Sequence, residues 1–169
     1  LFSRDRRIAL APSVLVEDVA RLEASLERGE RGALVLVGRR ELRSNNSWMH
    51  NSARLVKGPV RCTLRIHPSD ASARAIRDGD RVRVRSRVGD VVAPAEITDE
   101  MMPGVVSLPH GWGHGRSGAR LTVANAHPGV SINDLTDDRE VDAVSGVASF
   151  SGVEVEVVAI VAVSAGETL

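Results

Sequence analysis

Aromatic side chains are nearly missing from this 169-residue sequence: Phe2, Trp48, Trp112 and Phe150 are the whole set, and tyrosine is absent. Single-strand nucleic-acid binders stack bases on aromatic platforms, so that class of function has little to stand on here. Cysteine occurs once, at Cys62, which excludes an internal disulfide and leaves no cluster for an iron–sulfur centre. Charge of one sign is lacking too. The 22 basic residues cancel the 22 acidic ones, whereas nucleic acids and anionic membrane surfaces select partners with a basic excess. No apolar run approaches the roughly 20 residues that span a bilayer, and the opening LFSRDRRIALAP lacks the apolar centre of a signal peptide. The expectation is a cytoplasmic protein that neither inserts into membranes nor binds nucleic acid. The sequence begins with Leu1 rather than Met, which points to a piece of a longer polypeptide, so any export signal would lie upstream. Lysine is present only as Lys57, leaving arginine forks suited to phosphate and carboxylate as the main positive charge. Codon usage in a GC-rich genome is the simpler reading of that bias.

What is there is enough for one domain with its own core. Residues Leu15, Val19, Leu22 and Leu26 recur at helical spacing between Ser13, a possible cap, and Gly29, a C-terminal stop. The pattern predicts one helix from Ser13 to Gly29, in a lead-in segment over residues 1–32. A β-rich domain over 33–169 follows. Its runs are Ala33 to Val37, an alternating stretch from Val60 to Ile66, then Arg81 to Ser86 turning at Gly89-Asp90 into Val91 to Ile97. Gly104 to Leu108 and Val153 to Val163 complete the strands. Pro68 to Ile76 reads as a short helix closed by Asp78-Gly79, and Ala119 to Thr136 as extended chain and loop. Six or seven short strands with few helices between them predict a closed, mainly β barrel.

Several local patterns invite chemistry and do not sustain it. Gly113, Gly115 and Gly118 spell G-x-G-x-x-G after a strand, but Ala119 to Pro128 lacks the long helix whose N-terminus would receive a pyrophosphate. His110 and His114 stand four apart across glycines that hold no helix, and His50, His67 and His127 lie in separate segments, so a zinc site is not supported. Cys62 reads as a small core residue, and Arg81, Arg83, Arg85 and Arg87 as a solvated strand face rather than a phosphate groove. No nucleophile and base pair stands out. The segment from Arg39 to Asn51 is different: it follows a buried strand at once and is dense in amides, hydroxyls and guanidinium groups. These can read a heterocycle edge or a pyrophosphate, or can simply form a solvated loop of turn formers.

The run Gly38-Arg39-Arg40-Glu41-Leu42-Arg43-Ser44-Asn45-Asn46-Ser47-Trp48-Met49-His50-Asn51 resembles the start of the C-terminal molybdopterin-dinucleotide-binding domain of the molybdenum and tungsten oxidoreductases, the formate dehydrogenase, nitrate reductase and dimethyl sulfoxide reductase family. His67-Pro68-Ser69-Asp70-Ala71, Asp78 to Val82, Ser86 to Gly89 and Met102 to Val106 are similar to the same pattern in the same order. Leu108 to His114 and Asn133-Asp134-Leu135-Thr136 complete it. The similarity covers about residues 33–158.

The resemblance implies a double-psi β-barrel that closes over a bis-pterin guanine dinucleotide (bis-MGD). Other domains of the same polypeptide would hold the molybdenum or tungsten and any iron–sulfur cluster. Carried over position by position, it implies cofactor contacts at Gly38, Arg39 and Arg40, at Ser44, Asn45, Asn46 and Ser47, at His110, Gly111, Trp112 and His114, and at Asn133 and Asp134. Many relatives write the second group as H-W-H-T; Ser, Asn, Asn and Ser stand there in this chain, and the arrangement fits a formate-dehydrogenase-like subgroup. The cofactor carries the redox step in such enzymes and the protein positions it, so the chain alone is expected to be inactive. The competing expectation is a stand-alone barrel serving protein interaction or substrate recognition, since fold does not fix function.

Overall fold

The computed structural model describes residues 2–27 and 34–160. Six strands close into a barrel: β1 (Leu34–Arg39), β2 (Leu64–Ile66), β3 (Arg81–Arg85), β4 (Asp90–Ile97), β5 (Val105–Pro109) and β6 (Val153–Ala159). Around the barrel the order is β1-β5-β2-β4-β3-β6. β1 runs parallel to β5 and β2 parallel to β4, so each pair needs a connection that crosses over; the other pairings are antiparallel. Two crossed parallel pairs in a closed six-stranded wall are the double-psi arrangement that the resemblance implied.

Period-two alternation explains why these segments are strands. In β3 the valines Val82 and Val84 are fully buried while Arg81, Arg83 and Arg85 face solvent, and β6 alternates the same way through Val153, Val155 and Val157. Leu34, Leu36, Leu64, Ile66, Val106 and Leu108 fill the interior beside them. The expected hairpin forms, with Val84 opposite Val91 and Ser86 N–H donating to the Gly89 carbonyl at 2.9 Å. The arginine stripe is a solvated face, with Arg83 3.5 Å from Asp90.

Three expectations are corrected. The lead-in helix is divided into α1 (Ser13–Glu17) and α2 (Val19–Glu27) at Asp18, whose backbone N–H donates to the Val16 carbonyl; its carboxylate accepts from Arg21 in α2 at 2.7 and 2.8 Å. Pro12, without a side-chain cap, stands where a Ser13 cap was expected, and Gly29 lies outside the described residues. Leu15, Val19 and Leu22 remain about half exposed, so the periodicity does not mark a side buried in the core. The stretch from Val60 contributes only Leu64–Ile66 as strand. Before it, Cys62 pairs through its thiol with the Val130 backbone, a side-chain link where a ladder was expected. The loop expected over Ala119 to Thr136 contains α5 (Thr122–Ala126) and a 3₁₀ turn (Ile132–Asp134). The reason for α5 is distant: Asn51 Oδ1 accepts the N–H groups of Val123 and Ala124, two of the free donors in a first helical turn. Two further short helices, α3 (Ala53–Val56) and α4 (Pro68–Ala73), lie in the connections. No helix among the described residues is long and apolar enough to cross a membrane.

One side chain ties the wall together at the end of β1. Arg39 donates to the carbonyls of Ser107 (2.7 Å) and Arg61 (3.0 Å), to Thr63 Oγ1 (3.0 Å) and to Glu41 (3.1 Å), joining β1 and β5 to the approach into β2. Truncation would leave those acceptors without a donor in a largely buried place. Arg39→Ala is expected to lower the unfolding free energy by about 3 kcal/mol in urea titrations. A loss below about 0.5 kcal/mol, the level of an ordinary surface change, would contradict the clamp.

Candidate functional site

Parallel pairing of β1 and β5, in register from Val35 opposite Val105 to Arg39 opposite Pro109, brings two C-terminal strand ends out side by side. The polar segment 40–52 and the glycine-rich segment 110–118 therefore start as neighbours, and His110 N–H donates to the Arg39 carbonyl at 2.9 Å. The second segment is then bonded to a third: Gly113 and His114 N–H both donate to the Pro128 carbonyl, at 2.8 and 3.0 Å. Three loops thus meet at one end of the barrel.

Glycine is what permits the approach. A Cβ at Gly111 would stand 1.9 Å from the Asn46 carbonyl oxygen, and one at Gly113 2.7 Å from Ser131 Cβ; both residues have positive φ, 96° and 111°. Asn45 and Asn46 occupy the left-handed region as well, at φ 43° and 61°. That conformation suits asparagine better than the bulkier residues of the H-W-H-T pattern.

Beneath these loops lies a buried polar chain. His50, 1% exposed, meets His114 through Nδ1 to Nε2 at 2.7 Å and Ser44 through Nε2 to Oγ at 2.7 Å. Trp112 stacks on the His50 ring with centroids 4.0 Å apart, and its indole N–H is buried without a partner. Burial holds both histidines below their usual range, and for His50 the neighbouring His114 adds to the effect.

The residues expected at the site divide into three kinds. Exposed at the loop end are Arg40, which donates to Asn46 Oδ1, together with Asn45, Asn46 and Asn133. Ser47, His110, Gly111, Trp112 and His114 are half-buried in the same cluster, as is Asp134, which accepts from Arg116. Turned inward are Arg39, with the internal bonds given above, and Ser44, held by His50; Gly38 sits in β1 with its N–H on Ser151 Oγ. Sequence reasoning missed His50, Asn51, Arg116 and Ser131. His50 was even set aside as scattered, because a partner 64 positions away leaves no mark in spacing.

The donor set suits a flat, polar, anionic ligand. Exposed amides offer paired donors and acceptors, Arg40 and Arg116 are surface guanidinium groups in exchangeable pairs, and the glycines bring backbone close. Two glycines separate this packing from mere turn formation, since Gly118 also has positive φ (91°) but faces open space. Gly118→Ala should cost about 1 kcal/mol of stability, and Gly111→Ala clearly more, because the Asn46 backbone must move. Equal costs for the two in thermal unfolding would contradict the close packing of the loops.

The profile of the family described as "Molydopterin dinucleotide binding domain" matches residues 34–154. The molybdopterin-containing subunit of arsenate respiratory reductase from Chrysiogenes arsenatis is 32% identical over 126 residues, covering 69% of this chain and 15% of that protein. Dimethyl sulfoxide reductase of Escherichia coli K12 is 36% identical over 85 residues, covering 50% of this chain and 10% of its own length. The chain therefore spans a small part of these relatives. Acetylene hydratase from Pelobacter acetylenicus shares the fold, with a TM-score of 0.63 and 18% identity over 83% of this chain and 20% of that one. A profile that begins with β1, ends in β6 and takes in all three loops decides against a separate interaction module: the chain belongs to the molybdopterin-dinucleotide-binding domain family.

Proposed function

We propose that the chain is the cofactor-binding domain of a larger molybdenum or tungsten oxidoreductase, in which the three-loop end of the barrel holds a bis-MGD cofactor. The observation that carries this reading is the convergence of loops 40–52, 110–118 and 128–134, with glycines at the contacts and amides and guanidinium groups on the outer side. Asn45 and Asn46 would read a pterin edge, Arg40 and Arg116 would pair with pyrophosphate, and Asn133 would hold a heterocycle at the far side. Ser44 and Arg39 act from behind, the first through His50 and the second by fixing the strand ends. When bound, the cofactor supplies the redox chemistry. The metal, its ligand and the electron partner belong to the remaining domains of the enzyme.

The half-exposed apolar residues Val14, Leu15 and Val16 of α1 support a larger assembly, because they leave apolar surface that a neighbouring domain would cover. The test is made in the complete enzyme. Asn46→Ala and Asn133→Ala each remove a hydrogen-bonding side chain, which costs about 1–3 kcal/mol and should lower metal and guanine-nucleotide content per chain severalfold. Full occupancy in both variants would overturn these contacts, and a native enzyme devoid of both metal and guanine nucleotide would overturn the reading itself.

A further inference from the structure

The Ser44–His50–His114 chain has two 2.7 Å hydrogen bonds, one inside the polar loop from His50 to Ser44 and one from His50 across to His114 in the glycine loop, with His50 buried and Trp112 stacked on its face. The His50–His114 bond is the only direct side-chain hydrogen bond between these two loops among the described residues. We propose that His50 is the positioning residue of this site: it locks the polar loop onto the glycine loop, and the lock holds while the two imidazoles share at most one extra proton. That these loops hold a pterin rests on the reading above; the lock itself does not.

Hydrogen-bond accounting gives the limit. With both rings neutral the chain runs one of two ways. In the first, Ser44 O–H donates to His50 Nε2 and His50 Nδ1–H donates to His114 Nε2. In the second, His114 Nε2–H donates to His50 Nδ1 and His50 Nε2–H donates to Ser44 Oγ. One added proton fits the second arrangement at His114 Nδ1 and breaks no bond. A further proton on His50 would set N–H against N–H across 2.7 Å, so the contact must part. Since His50 is 1% exposed and His114 half-buried, the first proton settles on His114.

Nothing nearby offsets that charge. From the polar loop His50 faces Ser44, and from the glycine loop it faces Trp112 and His114. The charged groups of these loops are engaged elsewhere, Glu41 with Arg39, Arg40 with Asn46 and Arg116 with Asp134, while Arg43 is exposed. No carboxylate bonds either ring among the described residues. Burial lowers both histidines below the ordinary 6.5, so the unfolded chain takes up protons that the folded chain resists. The stability from this pair is therefore present above about pH 6.5 and is lost as the pH falls below it.

The experiment uses the 169-residue chain without cofactor, so that failure of the cofactor reading would leave its result standing. Imidazole nitrogens are followed by NMR from about pH 8 to pH 4.5, and exchange of the Gly113 and His114 amides is recorded in parallel. The expected result is uptake of one proton by His114 alone below about pH 6.5, with His50 remaining neutral. The amides stay protected until a second uptake, at which protection is lost. His50→Gln and the milder His114→Ala should each speed exchange at Gly113 about tenfold at neutral pH. His114→Gln, whose amide can both donate and accept, should restore protection and remove the step at His114. Two histidines titrating independently near 6.5, or amide protection unchanged in His114→Ala, would overturn the proposal.

Discussion

The register of β1 against β5 is the constraint on which everything else depends. Because the two strands are parallel and end together at Arg39 and Pro109, the chain leaves the barrel twice at the same rim. Antiparallel pairing would have sent the polar segment and the glycine-rich segment to opposite ends. Ligand sites in sheets with parallel strands gather at the carboxyl ends of the strands, and the rim formed here lies at the corresponding ends of β1 and β5. Arg39 guards that geometry: its guanidinium spans β1, β5 and the entry to β2 from a position 14% exposed.

Above the rim, two kinds of interaction convert adjacency into a site. Missing side chains at Gly111 and Gly113 allow backbone to touch backbone, which sets the distance between loops. The His50 chain then sets their relative position from below, and the Pro128 carbonyl and the Cys62 thiol fasten the third segment. Farther round, Arg87 grips Asp137 and holds that carboxyl far below the usual carboxylate range, securing the chain just after Asn133 and Asp134. The outer surface is left to residues with spare hydrogen-bonding capacity. The site is thus a polar lip on a rigid apolar barrel, suited to positioning a cofactor whose chemistry is its own.

Much of the barrel was legible because its information is local. Val82 and Val84 between arginines, the Gly89-Asp90 turn and the apolar run into Val37 each specify a strand or hairpin within a few residues. The crossed connections came from resemblance, since periodicity does not say which strands pair. What stayed hidden depends on distant partners. Asn51 caps a helix more than 70 positions away, and His50 finds His114 across 64. Arg39, at the end of β1, and Ser44, in the polar loop, belong to a segment that looks solvent-facing in sequence, yet tertiary packing turns both inward. The lead-in helix was misjudged too, because apolar periodicity carries no mark of the backbone break at Asp18.

The three-loop rim is the surface proposed to meet the cofactor. The most direct measurement is amide hydrogen exchange on the complete enzyme, prepared once with its cofactor and once from a host unable to make it. The predicted result is slower exchange in the loaded enzyme at residues 40–52, 110–118 and 128–134, with the outer face of β3 and β6 unchanged. Equal exchange at all three loops in the two preparations, or protection confined to the β3–β6 face, would contradict it.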